Sequence, residues 1–86
     1  MNQHKQIREI ESNNFGCITS FLKLNEKILL TADYNGNIKQ WIIDEENLIL
    51  ENVKHKAHND QIRMIRKNQD GLIITCSDDK SIKVWK

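Results

Sequence analysis

The sequence contains no proline, two cysteines, three glycines and five aromatic side chains among its 86 residues. Each scarcity narrows what the chain can be. Cys17 and Cys76 are not paired by spacing and neither belongs to a CxxC motif, so no disulfide framework or redox pair is expected. Charge of one sign is also missing: 13 basic and 12 acidic residues leave a net charge of +1. Such a balance creates no field to recruit nucleic acid or an anionic membrane. No apolar run approaches the ~20 residues that cross a bilayer, and residues 1–14 lack the apolar core of a signal peptide. The expectation is a soluble cytoplasmic protein, with the nucleus as the second location. No phosphate loop, no nucleophile motif and no paired carboxylates in a plausible pocket are found, which argues against an enzyme. The lack of proline goes with an excess of Ile, Asn and Lys and carries no functional reading.

Eighty-six residues make one small domain, which buries only about 60–65% of its unfolded surface. Within that length the sequence repeats. Displaced by 44 positions, Thr31 falls on Thr75, Ile38 on Ile82, Lys39 on Lys83 and Trp41 on Trp85. The alignment runs back without gaps to Ile18 on Ile62 and Phe21 on Ile65. Periods of ~20–50 residues are the signature of stacked supersecondary units.

Short strands separated by turn signals account for both units. Residues 6–11 are ambiguous alone, but the repeat reads them as a strand leading into the first unit, followed by a polar turn at 12–16. Strands are expected at 17–24, 28–32, 38–43 and 48–53, then at 61–67, 72–77 and 81–85. Residues 28–32 form a short apolar run of the kind buried on both faces. Asn35-Gly36 is the clearest hairpin signal, because it tolerates positive φ at both central positions of a two-residue loop. Cys76 falls on Ala32 within an apolar pattern and reads as a buried structural thiol. No segment calls for a helix, so the fold class is all-β.

The second unit resembles the WD40 repeat family. Ala57-His58 matches the Gly-His position, Ile62 and Ile65 the apolar pair of the inner strand, and Asp70-Gly71 the turn. Thr75 to Asp79 resembles the Ser-Gly-Ser-x-Asp phrase and Ser81 to Trp85 the closing strand, with Lys86 where the family usually has Asp. The first unit is degenerate: Asn14 stands at the His position and Asn35 at the Asp position, while Thr31 and Trp41 are kept. The resemblance implies four-stranded β-propeller blades, with repeat units at about 6–43 and 48–86 and residues 1–86 as a partial propeller. Residues 6–11 and 48–53 would be outer strands.

The resemblance also implies a structural relay. It runs from the Trp85 indole N–H through the Thr75 hydroxyl and the His58 imidazole to the Asp79 carboxylate, reduced in the first unit to Trp41 and Thr31. A buried Trp has only a donor to satisfy, and His bridges a hydroxyl and a carboxylate through its two ring nitrogens. The same residue types could be taken for a Ser/His/Asp site, but a strand hydroxyl tied to a Trp is not presented as a nucleophile. His55 and His58 without a further ligand make a poor zinc signal, so neither metal nor cofactor is expected.

Two blades fall short of the ~4–8 that close a propeller. Either the chain is a fragment of a longer one, or copies of it, or other WD40 repeats, complete the ring. The family role is non-catalytic scaffolding of proteins and peptides. Carried onto this chain, the contact positions are Thr19, Tyr34, Asp60, Arg63 and Asp78, with Tyr34 as the anchor. The alternative is a small β-barrel that binds nucleic acid through Lys54, His55, Lys56, Arg63, Arg66 and Lys67; the near-neutral charge and lack of stacking aromatics oppose it.

Overall fold

The computed structural model describes residues 5, 6, 9 and 17–86. Seven strands follow in order: β1 Ile18–Asn25, β2 Ile28–Asp33, β3 Ile38–Asp44, β4 Asn47–Lys54, β5 Ile62–Lys67, β6 Ile73–Ser77 and β7 Ile82–Trp85. They form two antiparallel sheets, β1-β2-β3-β4 and β5-β6-β7. The expected strand at 6–11 and turn at 12–16 lie outside the described residues, apart from Gln6 and Glu9, which are not in a strand. β4 hydrogen-bonds to β3, so the second sequence unit lends its first strand to the first sheet. The described strands do not close on themselves, which removes the structural basis of the small-barrel alternative.

The sheets stack face to face. Leu30 and Ala32 of β2, Ile62 and Ile65 of β5 and Ile73 of β6 form the buried cluster, flanked by Leu22, Leu24, Ile28, Ile38 and Trp85. Alternation along β1 and β2 turns Leu22, Leu24, Ile28, Leu30 and Ala32 to one side, as a period of two requires. Ile62 and Ile65 are three residues apart and would lie on opposite faces of a regular strand. A register shift between Ile62 and Met64 puts both into the core, and β1 has the same irregularity between Ile18 and Ser20. Such a bulge adds one residue and re-aims the side chains after it. Each isoleucine is fully buried, and burial of this kind is worth about 1.5–3 kcal/mol per side chain.

The Asn-Gly loop differs from the expected two-residue turn. Gly36 has φ 85°, but Asn35 is not among the residues with positive φ. Asp33 accounts for the difference: its Oδ1 accepts the N–H groups of Asn35 at 2.9 Å and Asn37 at 3.0 Å. The Gly36 N–H donates to the Asp33 carbonyl at 3.2 Å. An aspartate that caps its own turn favours this four-residue loop with glycine in the left-handed position. Asn68 builds the same loop, accepting from Asp70 at 2.9 Å and Leu72 at 3.0 Å, with Gly71 at φ 82°. In the β6–β7 loop the left-handed position falls to Lys80, φ 73°.

Cys76 is half-buried, a correction to the buried thiol expected, because among the described residues no sheet packs over its side of β6. Cys17 is exposed and both thiols are free.

Candidate functional site

Between β4 and β5 the chain runs through a connector, residues 55–61, that crosses from one blade to the next. Its middle is buried: Ala57 and His58 are enclosed while Asn59 and Asp60 are exposed. His58 Nδ1 lies 2.9 Å from Asp79 Oδ2, and Nε2 lies 2.7 Å from Thr75 Oγ1. The carboxylate can only accept, so Nδ1 carries the proton and Nε2 accepts from the Thr75 hydroxyl. The Thr75 oxygen in turn accepts the Trp85 indole N–H at 3.0 Å. Trp41 and Thr31 make the equivalent bond at 3.0 Å.

Ser81, which the repeat pattern did not single out, completes this cluster. Its hydroxyl donates to Asp79 Oδ1 at 2.5 Å and lies 3.0 Å from His58 Nδ1. The signal for it was the Asp-x-Ser spacing, since Asp79 Oδ1 also accepts the Ser81 N–H at 2.9 Å in a local Asx turn. The Asn59 N–H reaches Asp79 Oδ2 at 3.0 Å. The Ser81 hydroxyl first, and then the Asn59 N–H, the His58 ring and the Ser81 N–H, hold the Asp79 carboxyl well below the usual carboxylate range against an opposing desolvation. With both ring nitrogens engaged, His58 is not presented to a substrate, and its Thr75 partner is fully buried. Among the described residues no group of three His, Cys, Asp or Glu side chains is placed to hold a metal.

The expected contact positions separate into two sets. Tyr34, Asp60, Arg63 and Asp78 gather at the loop end of the blade junction. Arg63 Nε and Nη2 each donate to Asp78 at 2.8 Å, a bidentate pair that raises the guanidinium and lowers the carboxyl from their ordinary values. Thr19 is elsewhere: its hydroxyl donates to the Ile62 carbonyl inside the junction, so it joins the blades rather than facing a partner.

Beside this cluster a hollow of about 540 Å³ separates the β2–β3 hairpin from the connector, lined by Tyr34, Asn35 and Asn37 on one side and His55, Lys56, Asn59 and Asp60 on the other. Asn37 Oδ1 accepts the Lys56 N–H at 2.9 Å and ties the two walls together. Lys56 holds φ 53°, an unusual conformation for a lysine. Among the described residues, the Tyr34 hydroxyl, the Asn35 and Asn59 amides, the His55 ring and the Lys56 ammonium make no hydrogen bond within the protein. The supposed cationic cluster is scattered instead. Lys54 lies 5.9 Å over the Trp85 ring, Arg66 donates to the Ile65 carbonyl at 2.9 Å, and Lys67 donates to the Leu24 carbonyl at 2.9 Å.

Stacked antiparallel blades with a His–Thr–Trp bond network at the connector define a WD40-type repeat. Residues 51–86 match the WD domain, G-beta repeat, and the chain belongs to the WD40 repeat family. Two curated proteins of Dictyostelium discoideum are similar to it. Dynein axonemal assembly factor 10 is 30% identical over 80 residues, covering 86% of this chain and 22% of that protein. UDP-galactose:fucoside alpha-3-galactosyltransferase is 43% identical over 56 residues, covering 63% of this chain and 8% of that protein. The chain thus spans less than a quarter of the length of either relative. The crystal structure of the computationally designed Ika4 protein shares the fold, with a TM-score of 0.59 and 22% identity over 79% of this chain and 39% of that one.

Proposed function

We propose that this chain is a non-catalytic scaffold that binds extended peptide segments of other proteins in the groove between the β2–β3 hairpin and the connector. WD40 repeats generally mediate protein–protein interaction, and the groove supplies what a peptide backbone asks for. The observation that carries this reading is the set of unspent groups around one hollow: two amides, a phenol, an imidazole and an ammonium, facing each other across the blade junction. Amides both donate and accept, so Asn35 and Asn59 match peptide N–H and C=O groups. Tyr34 offers an exposed ring beside them, the residue type most enriched at interface hot spots. The relay residues His58, Thr75, Asp79 and Trp85 serve the scaffold by fixing the connector that forms one wall. The ring is completed by further WD40 repeats or by further copies of the chain, and the cytoplasm is the compartment proposed for it.

Selection of random peptides from a displayed library against the folded chain tests this reading. Binding of the selected peptides should be lost in Tyr34→Ala and Lys56→Glu and kept in Glu45→Lys, at the distant β3–β4 turn. Failure to select any peptide, or binding indifferent to position 34 and position 56, would contradict it.

A further inference from the structure

The junction between the two blades is a template for what the outer faces of the molecule can hold. Inside the chain, Ile62 and Ile65 of β5 seat against Leu30 and Ala32 of β2, and the Ile65 N–H meets the Ser20 hydroxyl at 3.3 Å. One repeat earlier, Ile18 and Phe21 occupy the positions of Ile62 and Ile65, yet they stand 44% and 66% exposed. One repeat later, Met64, Cys76, Ile82 and Val84 occupy the positions of Ser20, Ala32, Ile38 and Gln40. Ile82 and Val84 are 73% and 60% exposed. The knobs therefore project from one end of the molecule, and the surface equivalent to their socket lies open at the other.

We propose that these two faces dock on each other between copies of this chain, head to tail, in the geometry of the internal junction. Three features select a second copy as the occupant. The faces are related to each other by the same 44-residue displacement that relates the two sides of the internal junction. The polar stitching repeats as well. Lys67 donates to the Leu24 carbonyl at 2.9 Å within the chain, and Lys23 stands at the Lys67 position on the open side. In the docked pair Lys23 reaches the carbonyl of Asn68, the counterpart of Leu24; its exposed pairing with Glu26 at 3.2 Å is of the weak surface kind and does not compete. Finally, the two enlarged positions meet. Phe21 replaces Ile65 on the knob and Met64 replaces Ser20 on the socket, and a flexible thioether against an aromatic ring is a favourable contact. A net charge of +1 imposes no repulsion between copies.

The patches are different, so the contact is heterologous, closing into a ring or extending as a filament according to its rotation. Closure at about 4–8 blades corresponds to roughly two to four copies.

The test uses Phe21→Asp and Ile82→Asp in the whole chain, each with its unfolding midpoint measured to establish that the exposed substitution leaves the fold intact. Light scattering should show wild type associating with rising concentration and each variant monomeric alone. An equimolar mixture should form a one-to-one dimer, because each variant retains the face its partner needs. A wild type that is monomeric throughout, association that survives either substitution, or a mixture that stays monomeric while wild type associates would each overturn the proposal.

Discussion

The backbones of Gly36 and His58 approach too closely for any side chain to stand between them. The His58 N–H donates to the Gly36 carbonyl at 3.1 Å, and a Cβ at Gly36 would meet the His58 carbonyl oxygen at 2.1 Å. This contact ties the hairpin of one blade to the connector of the next. Gly36→Ala should therefore combine a left-handed strain of about 1–2 kcal/mol with a displacement of the connector, for a total loss of about 3 kcal/mol or more. Gly71 has a similar φ, 82°, and nothing within 4 Å of its missing Cβ. Gly71→Ala should cost only the strain, about 1–2 kcal/mol. Urea unfolding midpoints of the two variants separate the terms.

Lys80 occupies the left-handed position, φ 73°, that Gly36 fills in the first unit. Lys80→Gly should relieve the strain, partly offset by a more flexible unfolded chain. A net gain of about 0.5–1 kcal/mol is expected, read as a rise in the same midpoint.

Thr75 serves two partners, Trp85 and His58, and Thr31 serves Trp41. Thr75→Val should leave the half-buried Trp85 indole N–H and a nitrogen of the buried His58 ring unsatisfied and cost about 2–4 kcal/mol; Thr31→Val should cost about 1–2. Equal losses in the two variants would show that the His58 bond adds nothing.

Asp79 contributes to the acid limb of stability. Its folded pKa lies below the ordinary aspartate value of 3.8, so its contribution is fully present above that value and is lost as pH falls through the folded pKa. Stability should decline below about pH 4, and Asp79→Asn should flatten that decline while lowering stability at neutral pH. An unchanged acid limb in Asp79→Asn would assign the decline to other carboxylates.

Cys76 reports on docking between copies. It takes the place of Ala32, which is fully enclosed in the internal junction. Its reaction with a thiol reagent should slow as chain concentration rises in wild type and stay constant in Phe21→Asp. A rate independent of concentration in wild type would argue that the Cys76 face stays open.

The 44-residue displacement made the strand order and both Trp–Thr pairs legible, because the residues that carry them are chemically distinctive. The matching bulges were not legible: Ile62 and Ile65 at a spacing of three fall on opposite faces of a regular strand, and the register shift between Ile62 and Met64 brings them to one. Ser81 was missed because a serine after an aspartate turn has many readings. The sense of the Asn-Gly loop was missed because Asp33, two residues before Asn35, decides it through its own carboxylate. Thr19 illustrates the same limit, since a strand hydroxyl looks alike in sequence whether it meets a partner or a neighbouring blade.

Amide hydrogen exchange at His58 tests the joining of the two blades most directly. His58 lies in a connector, outside any strand, yet its N–H is held by Gly36 and its side chain is fully buried. Its exchange should be as slow as that of Ile65 and Thr75 in the core strands, with His55 and Asp60, exposed on either side of it, much faster. Exchange of His58 at the rate of those neighbours would show that the connector opens independently, and that the two blades are not joined as described.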